Sequence, residues 1–245
     1  MLPLLRPDRL SSLSDLIEML TLKLILCVFA TVAIFAVPLF IPAGTFAWWR
    51  AWVFLGVVFI ASALTMFLIF PGHEDLLNER FKFPFQKTQP LGDKIITALL
   101  ITAFLGSTAF IPLDVFRFHL LGRPGTAVSW FGLVLFIAGW TLISLSFKEN
   151  AFAAPVIKHQ AERQQLVVDT GIYSVIRHPM YAGAIPVLVG MGLWLESYAA
   201  ALLAIVPITI LVARILVEEN FLRRELTGYD LYTQRVRHRL LPFIW

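Results

Sequence analysis

Long uncharged apolar runs dominate the pattern of the chain. Four of them cover residues 24–41, 51–70, 95–113 and 128–147, and none contains a charged residue. A helix needs about 20 apolar residues to cross the hydrocarbon core of a bilayer. The pattern therefore predicts four membrane-spanning helices in the first part of the chain.

Two further apolar runs, residues 180–195 and 197–213, are separated by little more than Glu196. This spacing predicts a helical hairpin with a tight turn, which brings the total to about six spans. The first arm is short and contains Pro186, Gly190 and Gly192. Membrane helices tolerate such residues where neighbouring helices satisfy the backbone, and small residues allow close helix packing.

The start of the chain has a different pattern. Arg6 and Arg9 precede a polar stretch, and Leu10, Leu13, Leu16, Ile17 and Leu20 recur at roughly helical spacing. We interpret this segment as an amphipathic helix on the membrane surface rather than a cleavable signal. The chain then divides into residues 1–147, with this helix and four spans, and residues 148–245, with the hairpin and a C-terminal tail.

Composition agrees with this all-α, polytopic membrane fold. The chain is 58% hydrophobic and only 15% charged, which leaves too little polar surface for a soluble globule. Cys27 lies inside an apolar run, so it indicates neither a disulfide framework nor a thiolate metal site.

The distribution of cations predicts the orientation. If both termini are cytoplasmic, 17 of the 20 Lys and Arg residues lie on that side, and only Arg50, Arg117 and Arg123 lie on the other. The formal net charge of +4 is modest, and its placement fits the cytoplasmic membrane face better than nucleic acid.

Polar and titratable groups concentrate in residues 148–181 and 214–239, which flank the hairpin. Because the hairpin brings its two ends together, we expect one cytoplasmic site there. Glycine-rich nucleotide loops are missing from the sequence, and His159, His178 and His238 lack the spacing of metal ligands. We predict no metal site.

Arg177, His178 and Pro179 open the first arm of the hairpin. Proline is favoured in the first turn of a helix, and the N–H groups and dipole at this end attract an anion such as a carboxylate. The alternative is a basic stop at the membrane edge, with His178 and Tyr181 as interfacial anchors.

Arg214 and Glu218 lie four residues apart, so they share one face of the last helix, and Glu219 follows them. Such charges at the hydrocarbon boundary are costly unless they are paired or functional. An intrahelical ion pair is the alternative to a site. Gly228 is expected to end this helix, and the aromatic and basic tail after it predicts a headgroup-contacting surface or a lid.

These stretches resemble a known family. Residues 165–173 (QLVVDTGIY) followed by 177–183 (RHPMYAG) are similar to the cofactor motif of the isoprenylcysteine carboxyl methyltransferases. Its C-terminal signature, which related phospholipid methyltransferases carry in variant form, looks like Glu218-Glu219, Leu222, residues 226–229, Tyr232, Val236, Arg239 and Pro242. The resemblance covers roughly residues 160–245.

The resemblance implies a membrane enzyme that transfers a methyl group from S-adenosylmethionine, bound on the cytoplasmic side, to an amphiphilic acceptor from the bilayer. The resemblance to bacterial members of the family implies a location in the bacterial inner membrane. Arg214 and Glu218 would be catalytic, with Arg214 facing the substrate. The implied cofactor contacts are Gln165, Leu166, Val167, Val168, Tyr173, His178, Pro179, Met180, Tyr181 and Glu218.

One contact departs from the family, because Gln165 stands where the carboxyl methyltransferases commonly have His. Arg214 favours a carboxylate acceptor, which needs no base because it is already anionic at neutral pH. A phospholipid amine would need a deprotonating group instead. Lipid-like and quinone-like acceptors remain open, as does the oligomeric state.

Two other functions share some of these features. A membrane reductase of the sterol-reductase type has a similar C-terminal architecture but binds a nicotinamide cofactor. A transporter or structural subunit would place ionisable residues near mid-bilayer and show internal repeats, whereas here the charges cluster at one boundary.

Overall fold

The computed structural model describes residues 7–71, 74–81, 85–86, 89–153, 156, 165–242 and 244–245. Throughout these residues the regular secondary structure is helical and includes no strand. For residues 10–17, which carry the predicted amphipathic face, the structure describes the helical backbone but not the side chains. Outside the described residues lie Arg6, Lys82, Lys87, Lys158, His159 and Arg163.

Nine α-helices are present in the described residues, with a π-helical turn at Asp114–Phe118 and a 3-10 turn at Gly171–Ser174. They are α1 (Pro7–Ala43), α2 (Trp49–Leu68), α3 (Glu74–Phe81), α4 (Leu91–Leu113), α5 (Thr126–Glu149), α6 (Pro179–Trp194), α7 (Tyr198–Leu203), α8 (Ile205–Glu225) and α9 (Tyr229–Arg235).

Five helical segments in the described part of the chain are long and apolar enough to cross a membrane: Met19–Ala43, Trp49–Leu68, Leu91–Phe118, Thr126–Glu149 and Tyr198–Glu225. Pro179–Trp194 is a shorter apolar helix. Large apolar side chains such as Phe29, Leu64 and Val134 are exposed on the outside of the bundle, as lipid-facing residues are. The predicted all-α, polytopic membrane fold is confirmed.

Two helix boundaries differ from the sequence-based expectation. The segment interpreted as a separate surface helix is continuous with the first span, because α1 runs unbroken over Pro7–Ala43. The second hairpin arm is divided into α7 and α8 around Ala204. Pro207 lies in the first turn of α8 and has no N–H to bond the carbonyl of the preceding turn, which accounts for the break.

Helices α5 and α6 pack with their backbones in contact through two glycine pairs. A Cβ added to Gly139 would lie 2.5 Å from the Gly183 carbonyl oxygen, and one added to Gly190 would lie 2.4 Å from the Gly132 carbonyl oxygen. The pairs are two helical turns apart along each helix. Only glycine fits at these positions, so the sequence itself fixes how closely α6 approaches α5.

Polar contacts close one end of the bundle, which we call the far end. Arg50, at the start of α2, is 3.2 Å (Nε) from Glu196 Oε1 and donates from Nη1 to the Trp194 carbonyl at 3.1 Å. Nearby, the Ser197 hydroxyl donates to Asp114 Oδ2 at 2.6 Å. Glu196 occupies the predicted turn between the hairpin arms with a positive φ of 67°.

The opposite end, which we call the site end, contains the end of α5, the start of α6 and the end of α8. Helix α4 packs against both α1 and α8. This packing places the first turns of α4 beside Arg214, the first charged residue of α8, and so links the N-terminal spans to the site end.

Candidate active site

A cleft opens at the site end between the start of α6 and α8. Its empty volume is about 850 Å³, including the open solvent at its mouth. All but one of the predicted site residues line it: Gln165, Leu166, Val167, Val168, Tyr173, His178, Met180, Tyr181, Arg214 and Glu218. Pro179, the exception, is buried at the first position of α6 and shapes the turn. The structure thus brings the predicted residues together, while their roles stay predictions.

The turn before α6 is held by the C-terminal tail. The backbone N–H of Arg177 donates to the His238 carbonyl, and that of His178 donates to the Arg239 carbonyl, both at 2.9 Å. His178 precedes the helix and Pro179 is its first residue, as the motif predicted. The tail therefore fixes the position from which the first N–H groups of α6 point.

Glu219 is the centre of a buried charge cluster behind the cleft. Its Oε1 accepts from Arg177 Nε at 2.7 Å and lies 3.2 Å from His178 Nε2, while its Oε2 accepts from Arg239 Nε at 3.0 Å. Only 3% of Glu219 is exposed. Charge-assisted bonds of this kind join α6, α8 and the tail into one unit.

Glu218 points into the cleft and is linked to α6 through a tyrosine. The Tyr181 hydroxyl donates to Glu218 Oε2 at 2.5 Å and accepts from Arg214 Nε at 3.0 Å. Arg214 and Glu218 share a face of α8, as their spacing predicted, and the phenol lies between them. Tyr181 thus connects Glu218 and Arg214 in a three-residue chain across the hairpin.

Arg214 is also held from α4. Its Nη1 donates to Thr97 Oγ1 at 3.0 Å, and its Nη2 lies 3.5 Å from Asp93 Oδ1. Arg214 is only 5% exposed. Contacts with α4 and α6 therefore define where its guanidinium lies.

Three buried tyrosines shape the wall nearest the tail. Burial raises the pKa of Tyr173, Tyr229 and Tyr232 well above the usual value for a phenol. For Tyr229 the negative charges of Glu219 and Glu218 add to the effect of burial. The Tyr232 hydroxyl donates to the Tyr173 carbonyl at 2.7 Å, so these side chains act as neutral hydrogen-bonding groups.

Several residues of this site were not among the predicted ones. Arg177, Tyr229 and Tyr232 line the cleft, Glu219 anchors its back, and Asp93 holds Arg214. Arg177 and the tyrosines lie inside the recognised motifs, so the motifs could have indicated them. The signal for Asp93 was weaker, namely one acid at the start of an apolar run.

The comparison with protein families bears on the same part of the chain. The model of the phospholipid methyltransferase family matches residues 127–227. These residues form a phospholipid methyltransferase domain. The family includes the isoprenylcysteine carboxyl methyltransferases, as the sequence motifs indicated. The comparison with curated proteins gives no match.

The phospholipid methyltransferase domain begins at the start of α5 and ends just beyond α8. It contains the glycine contacts between α5 and α6 and the Tyr181–Glu218–Arg214 chain. Asp93 and Thr97 of α4 lie before the domain, and the tail that holds the His178 turn lies after it. Tyr229 and Tyr232, after the matched region, therefore line the cleft, and Asp93 and Thr97, before it, hold Arg214.

Proposed function

We propose that the protein is an S-adenosylmethionine-dependent methyltransferase that acts on an amphiphilic acceptor from the bilayer, with a carboxylate as the preferred acceptor group. One observation carries the proposal. The His178 turn and Glu218 face a single cleft, and Tyr181 joins Glu218 to Arg214 across the hairpin. The methyltransferase domain supplies independent support for the reaction class.

The residues of the cleft fit such a cofactor. Glu218 offers a carboxylate for hydroxyl or ammonium groups, and the N–H groups of Met180 and Tyr181 belong to the first helical turn, where no helical carbonyl precedes them. Leu222 and Leu226 add apolar surface for a flat ring. A ligand with a sugar, an amino acid end and a base matches this mixture of polar and apolar groups.

Positioning is the main task of the side chains in this proposal. S-adenosylmethionine supplies a methyl group on a sulfonium, which is an excellent leaving group. Glu218 and the start of α6 would hold the cofactor, and Arg214 would orient the acceptor carboxylate by charge-assisted hydrogen bonds. Exclusion of water from the cleft would protect the reacting groups.

A second acceptor class is favoured by one observation. Asp93 lies beside Arg214 and balances part of its charge, so the cleft keeps the negative charge of Glu218. A lipid amine would suit such a site, because Glu218 could accept the proton that an ammonium group must lose. This phospholipid amine reading is the second candidate.

We propose that the site end faces the cytoplasm, with both termini on that side and the protein in the bacterial inner membrane. The support is the distribution of cations. Arg177, Arg223, Arg224 and Arg239 lie on helix ends and loops at the site end, whereas Arg50 lies at the far end, paired with Glu196.

Calorimetry with S-adenosylhomocysteine on the protein purified in detergent tests the cofactor. We expect saturable binding in the wild type and its loss in Glu218→Gln. Glu225→Gln, an exposed glutamate at the end of the same helix, is the matched control and should bind normally. Binding of a reduced nicotinamide instead would contradict the proposal and favour a reductase.

Transfer of a radiolabelled methyl group in vesicles tests the acceptor. An S-prenylated cysteine with a free carboxylate should be methylated, and Arg214→Ala should abolish this turnover while the exposed control Arg224→Ala keeps it. Methylation of phosphatidylethanolamine alone would select the second candidate. If neither is labelled, a membrane extract can be searched for the acceptor. Full activity in both Arg214→Ala and Glu218→Gln would overturn these assignments.

A further inference from the structure

Three polar residues at four-residue spacing lie at the site end of α4. Asp93 and Thr97 lie in the first turns of the helix and share one face, and Gln89 precedes the helix and contacts both of them. They are buried, with exposed fractions of 4% for Gln89 and Thr97 and 0% for Asp93. Burying a carboxylate at a hydrocarbon boundary is costly, so its partners indicate what it does.

These residues form an ordered chain that ends at Arg214. Gln89 Nε2 donates to Asp93 Oδ2 at 2.6 Å, which fixes the carboxylate. Asp93 Oδ1 lies 3.5 Å from Arg214 Nη2, and Thr97 Oγ1 accepts from Arg214 Nη1 at 3.0 Å. The polar face of α4 is therefore built around a single guanidinium, and that guanidinium lines the cleft.

We propose that Asp93, held by Gln89, is the positioning residue for Arg214, and that α4 is for this reason a functional part of the site although it precedes the methyltransferase domain. The inference rests on the proposed function of the cleft. Arg214 and Glu218 are one helical turn apart on α8, so an unrestrained guanidinium can pair directly with Glu218. Asp93 draws it towards α4 and leaves the Tyr181 hydroxyl as the partner of Glu218.

Loss of the Asp93 carboxylate should affect turnover more than folding. Without the Asp93 charge, Arg214 competes with Tyr181 for Glu218, and the group that orients the acceptor moves. A displacement of about 1 Å at a positioning group can lower a rate by about a hundredfold. We expect Asp93→Asn to lower kcat/KM for the acceptor by about tenfold to a hundredfold, and Asp93→Glu to restore part of the loss.

Asp114→Asn is the matched control. Asp114 directly follows α4, is 2% exposed and accepts a short hydrogen bond from Ser197 at the far end. The substitution Asp114→Asn therefore also removes a buried carboxylate, but one that lies away from the cleft. We expect it to lower the unfolding temperature but to leave kcat and KM of the folded protein unchanged. Equal kinetic losses in Asp93→Asn and Asp114→Asn would show that Asp93 has only a structural role and would overturn the inference.

A chemical readout tests the contact independently of any activity. Phenylglyoxal modifies arginine side chains, and mass spectrometry of the purified protein gives the rate at Arg214. The rate should rise several-fold in Asp93→Asn and stay at the wild-type value in Asp114→Asn. An unchanged rate at Arg214 would overturn the inference even if no methyl acceptor is found. Failure of S-adenosylhomocysteine to bind the wild type would instead contradict the proposed function, so the two failures are distinguishable.

Discussion

Glu218 and Glu219 are neighbours in α8, yet their carboxylates point to different surfaces. Glu218 accepts from the Tyr181 hydroxyl at 2.5 Å inside the cleft, whereas Glu219 accepts from Arg177 and Arg239 behind it. Adjacent helical residues are about 100° apart around the axis, which allows one acid to face a ligand and the next to face the protein. Under the proposed function, Glu218 would bind the cofactor and Glu219 would stabilise the fold.

Glu219→Gln should destabilise the protein by about 3–5 kcal/mol, because Arg177 and Arg239 lose the carboxylate that pairs them. The measurement is thermal unfolding in detergent, with limited proteolysis to detect release of the tail. Glu218→Gln should change the unfolding temperature far less. A Glu219→Gln protein as stable as the wild type would refute the structural role of this cluster.

Tyr181→Phe should lower kcat/KM by about tenfold to a hundredfold. Removing the buried hydroxyl takes one hydrogen-bond partner from Glu218 and one from Arg214, at a cost of about 1–3 kcal/mol. The hydroxyl group is the only part removed, so the aromatic ring should keep its packing on α6. Tyr198→Phe, in α7 away from the cleft, is the control and should be fully active. Wild-type kinetics in Tyr181→Phe would mean that the Glu218–Arg214 link is not needed.

Gly139→Ala should destabilise the bundle by about 1–3 kcal/mol or more, because the new methyl group would lie 2.5 Å from the Gly183 carbonyl oxygen. Gly106→Ala is the matched control, since a Cβ there meets nothing within 4 Å. In a helix that change should be neutral or stabilising by about 0.5–1 kcal/mol. Unfolding temperatures of the two variants settle the comparison, and similar values would argue against the close packing of α5 and α6.

Alkaline pH should weaken the wall of the cleft nearest the tail. Burial raises the pKa of Tyr173, Tyr229 and Tyr232 above the unfolded value of about 10, so the folded state binds these protons more tightly. The stability is fully present below pH of about 10 and is lost as the pH rises above it. In a titration towards alkaline pH, tyrosinate absorbance should therefore appear only above pH of about 10, together with unfolding. Early ionisation of Tyr232, assigned by its loss in Tyr232→Phe, would show that this side chain is accessible.

The sequence was sufficient to predict the long spans and many of the residues that line the cleft, because both follow from local patterns. A run such as residues 51–70 has the length and composition of a membrane helix, and this requires no knowledge of its neighbours. The motifs around His178 and Glu218 lie at the two ends of a hairpin, so their meeting follows from the connection alone.

Other contacts depend on packing that no local pattern records. Asp93 and Arg214 are far apart in sequence, and only the packing of α4 against α8 makes them neighbours. The same is true of Arg239, whose contact with Glu219 depends on the path of the tail. The division of the second hairpin arm at Ala204 was also missed, because Pro207 lies inside a uniformly apolar run.

The glycine contacts between α5 and α6 limit how this scaffold can acquire new specificities. Because the two helix backbones touch, no side chain between them can be exchanged, and the position of α6 beside the cleft is fixed. If the cleft binds an acceptor as proposed, we expect variation in its preference among lining residues outside α6, such as Phe152 and Val156. Libraries for altering the acceptor range should accordingly diversify such positions and leave Gly132, Gly139, Gly183 and Gly190 unchanged.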